Sequence, residues 1–248
     1  MSEKNNIKSE LSFNQVKNNL KKLRSKRGYL LPHHGLLAIS SPKLLEAYDS
    51  TYTALTLDHR VLSEWEKEIV WLVILISTGE AIATHHLDRL KKSGGGEVDI
   101  ENTLLIAAWA EGADRHNFVE AYWGNHLDEF EATKVYRIGL SKLTKNFGIE
   151  PWLLEIALAA CHQCHRRWFW VREHILGAYK HGAEEHAIAE GLSLAMFPGG
   201  VPNFVDACDI WKKLIAEDHV LASEPYKAWA VMSGQGGFDE SVRESEQP

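Results

Sequence analysis

Two histidines, His86 and His174, stand in equivalent places of a chain that repeats itself at an offset of 88 residues. Gly94 matches Gly182 in that register, Ile100 matches Ile188, Leu104 matches Leu192, Ala107 matches Ala195 and Gly112 matches Gly200. After a two-residue slip, Asn117-Phe118-Val119-Glu120-Ala121 answers Asn203-Phe204-Val205-Asp206-Ala207, and Trp123 meets Trp211 with the offset restored. So long a period indicates two copies of one small unit rather than a solenoid of short repeats. Chemistry is therefore expected at positions the copies share. A histidine titrates near neutrality, so it can take a proton in one step and return it in the next.

Glu68 and Glu155 each begin a helix that is otherwise strongly apolar. Buried there, a carboxyl would hold its proton to higher pH, as a general acid requires. In an exposed first turn it would only complement the helix dipole. His85 and Glu173 flank the two histidines and are expected to face solvent. Arg89, Arg115 and Arg172 are candidates to hold a substrate carboxylate. The aromatic residues Trp109, Tyr122, Trp123, Trp168, Phe169 and Trp170 are either core at helical spacing or the walls of a pocket for a planar organic acid.

The run Cys161-His162-Gln163-Cys164-His165 carries several chemistries at once. As CxxCH it has the form of a covalent haem attachment, which requires export. As CxxC it is a dithiol, and with its histidines it supplies part of a zinc or iron shell. Ligands at i and i+3 of one helix leave such a shell incomplete, so no metal and no cofactor are expected. The preferred reading is a helix interior in which the thiols pack and the histidines face outward. Cys208 matches Tyr122 across the copies and is expected to be structural.

These residues need helices to position them. Apolar residues recur at three- and four-residue steps over Pro42–Leu55, Ser63–Ser77, Ala81–Lys92, Ile100–Ala110 and Asn117–Phe130. The second copy gives about Lys134–Asn146, Pro151–Cys161, Arg166–Lys180, Ala183–Ala195 and Asn203–Ala216. Ser63 with Glu66 forms a capping-box signature, and Gly94 and Gly182 sit where left-handed C-terminal caps are expected. No strand-like alternation of useful length appears, so the class is all-α.

The stretch from Glu68 through His86 to Gly94, with its second copy, resembles the carboxymuconolactone decarboxylase and AhpD-like (alkylhydroperoxidase D-like) superfamily. In that unit a histidine is followed four residues later by a small or apolar residue and eight later by glycine. His86, Leu90 and Gly94 keep this spacing, as do His174, Ala178 and Gly182. The turns Glu111-Gly112-Ala113 and Gly199-Gly200-Val201-Pro202 follow, and the lead-in Pro32-His33-His34-Gly35 with Ser41-Pro42-Lys43-Leu44-Leu45-Glu46-Ala47-Tyr48 is similar to the opening helices. The resemblance spans about residues 30–217.

The resemblance implies an AhpD-like helical fold of two fused repeats forming a pseudo-dimer, and further assembly into a homo-oligomer, a trimer of chains. Glu155, 19 residues before His174, and Glu68, 18 before His86, match the family's acidic partner. Thiol-active members carry cysteines seven and four residues before the histidine. Those positions here are Gly79 and Ile82, and Arg167 and Trp170, none of which can do thiol chemistry. The decarboxylase branch has carboxylates shortly before the histidine, a place taken by Glu80, one residue off the spacing for His86.

The expected activity is thus a cofactor-independent lyase of the carboxymuconolactone decarboxylase type. It would act on a small carboxylated intermediate of aromatic-compound breakdown, with His86 or His174 moving the proton and Glu68, Glu155 or Glu80 assisting. The alternatives are a thiol peroxidase or disulfide reductase using Cys161 and Cys164, and a non-catalytic small-molecule binding protein.

The bulk composition of the 248 residues, 45% hydrophobic and 25% charged, is that of a globular protein with a sizeable core. A net charge of -7 argues against a general nucleic-acid surface, although Lys17, Lys21, Lys22, Arg24, Lys26 and Arg27 form a local basic run. That run is expected to be a solvated helix face or a flexible arm. Ile69–Ile76 is too short to cross a bilayer. Three cysteines make no disulfide scaffold, and the start MSEKNNIKSELSF lacks the apolar stretch of a secretory signal, so a cytoplasmic protein without membrane partners is expected. The expected organisation is a flexible basic arm over 1–30, a first repeat over 31–130, a second over 131–220, and an extension over 221–248 that is disordered from about 233.

Overall fold

The computed structural model describes residues 13–236. Among them every regular element is helical and none is a strand, as the periodicity predicts. The chain forms two compact units that divide between Asp58 and His59. This division coincides with neither of the expected boundaries at 30/31 and 130/131.

The first unit comprises α1 (Phe13–Arg27), α2 (Pro32–Ser40) and α3 (Pro42–Tyr52), which runs into a π-helical turn over Thr53–Leu57. Over Phe13–Arg27 the expectation of a flexible arm is corrected. Leu23 is buried with Ala38 and Leu45, giving α1 an apolar seat on the other two helices. Arg27, expected on a solvated face, is also buried: Nε donates to Asp49 Oδ1 at 2.8 Å and the guanidinium lies 4.4 Å from the centre of the Tyr52 ring. The start of the expected arm, residues 1–12, and the end of the expected disordered tail, residues 237–248, lie outside the described residues.

The second unit contains α4 (Glu64–Thr78), α5 (His85–Lys92), α6 (Glu97–Glu111), α7 (Ala113–Trp123), α8 (Ala132–Thr144), α9 (Pro151–Cys164), α10 (Trp168–Lys180), α11 (Glu185–Leu194), α12 (Val201–Ala216) and α13 (Glu224–Ala230). The apolar runs of α4 and α9 are buried almost all round, and these two helices pack against each other. A helix that is apolar on every face belongs in the middle of a core. Around them α5 and α6 pack on α4, while α10 and α11 pack on α9. One continuous hydrophobic core joins all of these helices.

Helix ends follow the sequence signals in most places. Ser63 Oγ accepts from the Glu66 backbone N–H, and Glu66 Oε2 accepts from the Ser63 N–H at 2.7 Å, closing the capping box. Gly94 and Gly182 have φ of +95° and +77°. The helix expected over Ala81–Lys92 begins only at His85. Its predecessor ends at Gly79, whose φ of +71° turns the chain out of α4 into a loop over 80–84. Helix α13 lies in the expected C-terminal extension, with Tyr226 and Trp229 against Trp211.

Candidate active site

Glu68 stands on α4 just before the run Ile69–Leu75 and is completely buried, as is Glu155 on α9 to within 3%. Both escape the exposed first-turn position because each helix has begun several residues earlier and carries them to the face that receives the next helix. His86 on α5 and His174 on α10 arrive opposite them. His86 Nδ1 lies 2.7 Å from Glu68 Oε2, and His174 Nδ1 lies 2.7 Å from Glu155 Oε2. His86 is 2% exposed and His174 not at all. Four residues spread over more than a hundred positions thus come together as two buried carboxyl–imidazole pairs.

The surroundings of the two pairs differ. Glu155 Oε1 also accepts from Arg137 Nη1 of α8, and His174 Nε2 meets the Tyr136 hydroxyl at 3.0 Å. Arg137 is fixed in turn by the Glu173 backbone carbonyl, so Glu173 serves through its backbone as well as through its side-chain contact with Arg172. In the first pair, Glu68 Oε1 accepts no hydrogen bond, and the nearest cation recorded for it is Arg89 Nη1 at 4.0 Å. The Trp71 ring lies over His86 with centroids 4.7 Å apart.

Electrostatics follow this difference. Burial pushes the Glu68 carboxyl up to about 8 and His86 down to about 3, both favouring neutral forms. Glu155 is just as desolvated, yet His174 and Arg137 together hold it below the ordinary carboxylate value. Burial lowers His174 and raises Tyr136 well above its ordinary range, so ring and phenol are neutral near pH 7.

Glu80, the third expected carboxylate, is exposed on the loop after α4 and hydrogen-bonds neither pair. It lines a separate apolar groove of about 370 Å³ with Leu72, Leu75, Ile76, Ala83 and Leu87. Arg115 is exposed on α7, while Arg89 reaches toward Glu68.

The cysteine-histidine run requires a correction. His162, expected to face outward, is fully buried and stacks on His174 with the rings 5.2 Å apart and 14° from parallel. The helix turns it toward α10 because α9 is surrounded by packed helices and has no outward face at that level. Burial pushes the Cys161 thiol up to about 11 and Cys164 up to about 12, so both stay protonated and poorly nucleophilic near pH 7. Among the described residues no group of three or more His, Cys, Asp or Glu side chains is placed to hold a metal ion.

Sequence reasoning missed Tyr136, Arg137 and Gly177. Tyr136 stands 88 residues after Tyr48, so the repeat register flags it. A Cβ on Gly177 would lie 2.2 Å from Glu155 Oε2, and that residue is one helical turn beyond His174, on the face that meets α9. Arg137 carries no signal in the sequence, since its partner lies on another helix. No family model matches the chain, and neither a curated protein nor a solved structure does so.

Proposed function

We propose that the chain is a cofactor-independent lyase that removes CO2 from a small carboxylated organic acid by proton transfer from a buried glutamate–histidine pair. The observation that carries this reading is the 2.7 Å carboxyl–imidazole contact, made twice, away from water, with the histidines in the repeat register and the glutamates one residue off it. A tandem AhpD-like unit is the matching fold proposal. It is supported by the recurrence of the same helix pairings, α4 with α5 and α6, then α9 with α10 and α11.

The chemistry balances simply. The C–C bond to the substrate carboxylate breaks, CO2 leaves, and the electron pair stays on the substrate as a dienolate. An imidazole N–H then delivers a proton to carbon while the adjacent glutamate sets the tautomer of the ring. Water replaces the proton afterwards. A site of low dielectric favours this sequence because charge is dispersed as CO2 departs.

Incubation of the pure protein with candidate lactone acids from aromatic breakdown is expected to release CO2, and His86→Ala together with His174→Ala to abolish the release. Wild-type rates in that double variant would remove the assignment.

A further inference from the structure

We propose that the two pairs store their protons in opposite places, His86 as the Nε2–H tautomer beside a neutral Glu68 and His174 as the Nδ1–H tautomer beside an ionised Glu155, and that only the first is the working proton donor. The proposal rests on the lyase reading for the destination of the proton and on geometry for its location.

In the second pair the hydrogen-bond chain has one consistent reading for a neutral ring. Arg137 donates to Glu155 Oε1, and an ionised carboxylate can only accept, so the 2.7 Å contact must be Nδ1–H donating to Oε2. The lone pair on Nε2 then accepts from the Tyr136 hydroxyl at 3.0 Å. Every atom of the relay is occupied: both carboxylate oxygens, both ring nitrogens and the phenol. His162 covers one face of the ring, Trp170 packs tilted against Tyr136 with centroids 4.2 Å apart, and no exposed edge of His174 remains. The charged and titratable groups facing this pair are Arg137, Glu173, Tyr136 and His162. Together they make it a fixed brace between α8, α9 and α10.

The first pair has none of these locks. In the place that Arg137 takes on Glu155, Glu68 Oε1 has Arg89 Nη1 only at 4.0 Å and is buried without a hydrogen bond. Arg89, Lys67 and Glu64 are the charges that bear on it. An uncompensated buried carboxylate is costly, so the acid keeps its proton and donates it to Nδ1 of His86. That leaves Nε2 carrying the second hydrogen, the ring nitrogen that Glu68 does not engage. The arrangement is a loaded relay: as Nε2–H gives its proton to carbon, Nδ1 takes the proton of Glu68, and the pair ends as a carboxylate beside the other tautomer.

Long-range proton–nitrogen correlation spectra of the full chain labelled with ¹⁵N-histidine test this at neutral pH. The single variants His86→Gln and His174→Gln assign the signals. Tyr136→Phe, which keeps the aromatic ring, provides an independent assignment because it shifts Nε2 of His174 alone. The expected result is one ring protonated at Nε2, assigned to His86, and one at Nδ1, assigned to His174. Finding both rings on the same tautomer, or His86 doubly protonated beside a carboxylate, overturns the proposal. With an active substrate, a larger loss of kcat in His174→Gln than in His86→Gln overturns it as well. Expected tautomers with no CO2 release from any candidate acid would refute the lyase reading and leave the proton arrangement standing.

Discussion

At the scale of single residues, the placement of one proton between Glu68 and His86 has consequences that stability measurements can read. The folded chain holds the Glu68 proton to about 8, whereas the ordinary value is 4.5, and it keeps His86 unprotonated down to about 3, whereas the ordinary value is 6.5. Between about pH 3 and 4.5 the unfolded chain binds a proton on His86 that the folded chain refuses, so stability rises with pH. From 4.5 to 6.5 the folded chain binds one proton on Glu68 and the unfolded chain one on His86, and the two effects cancel. From 6.5 to about 8 only the folded chain holds the proton, so stability falls as pH rises. Chemical denaturation across this range is expected to show that fall in the wild type, and Glu68→Gln is expected to abolish it while leaving the low-pH limb. A fall above pH 6.5 that persists unchanged in Glu68→Gln would place its origin elsewhere. The four residues of the pairs were legible in sequence because the types repeat and the spacing recurs to within one residue. Arg137 was not found, because a hydrogen bond to a partner on another helix leaves no local pattern; Tyr136 was missed although it lies in register with Tyr48, and His162 was misjudged because burial on every face is a property of the neighbours.

Between elements, the site depends on how closely α9 and its partners approach. Gly177 lets α10 bring His174 onto Glu155, with room only for a hydrogen where a Cβ would meet the carboxylate at 2.2 Å. Gly191 plays a similar part between α11 and α9, since a Cβ there would lie 2.1 Å from Ile156 Cγ2. Gly177→Ala therefore sets two effects against each other. Alanine favours the helix by roughly 0.5–1 kcal/mol. The displaced Glu155 loses charge-assisted bonds to His174 and Arg137, worth about 1.5–3 kcal/mol each, so the variant should be destabilised by about 2–5 kcal/mol in denaturant melts. Equal or higher stability would show that Glu155 can relax without losing its partners. The helices themselves were readable from apolar period and caps, within a few residues. Two helices depart further: α7 spans Ala113–Trp123 where Asn117–Phe130 was expected, and α5 starts late because Gly79 ends α4 in the left-handed region and the following residues then form a turn rather than continue a helix.

For the molecule as a whole, α5 and α6 pack on α4, and α10 and α11 on α9, inside one core, whereas the division at Asp58 had no counterpart in composition or linker signals. Among the described residues no helix is long and apolar enough to cross a membrane. On α7, Tyr122 and Trp123 are 72% and 54% exposed, with Phe118 against both rings. Three clustered exposed aromatics favour association, and the proposed assembly is three copies. Sedimentation is expected to give a mass three times that of the 28.0 kDa chain, reduced by Trp123→Lys, whereas a monomer in both proteins would refute it. The central claim, that a buried carboxyl–imidazole pair delivers a solvent-derived proton to carbon as CO2 leaves, is tested most directly by turning over a lactone acid in D2O with wild type and His86→Gln. The account predicts one deuterium at the carbon that lost its carboxylate and a loss of at least about 100-fold in rate in the variant; a product without solvent deuterium, or a variant as fast as wild type, would contradict it.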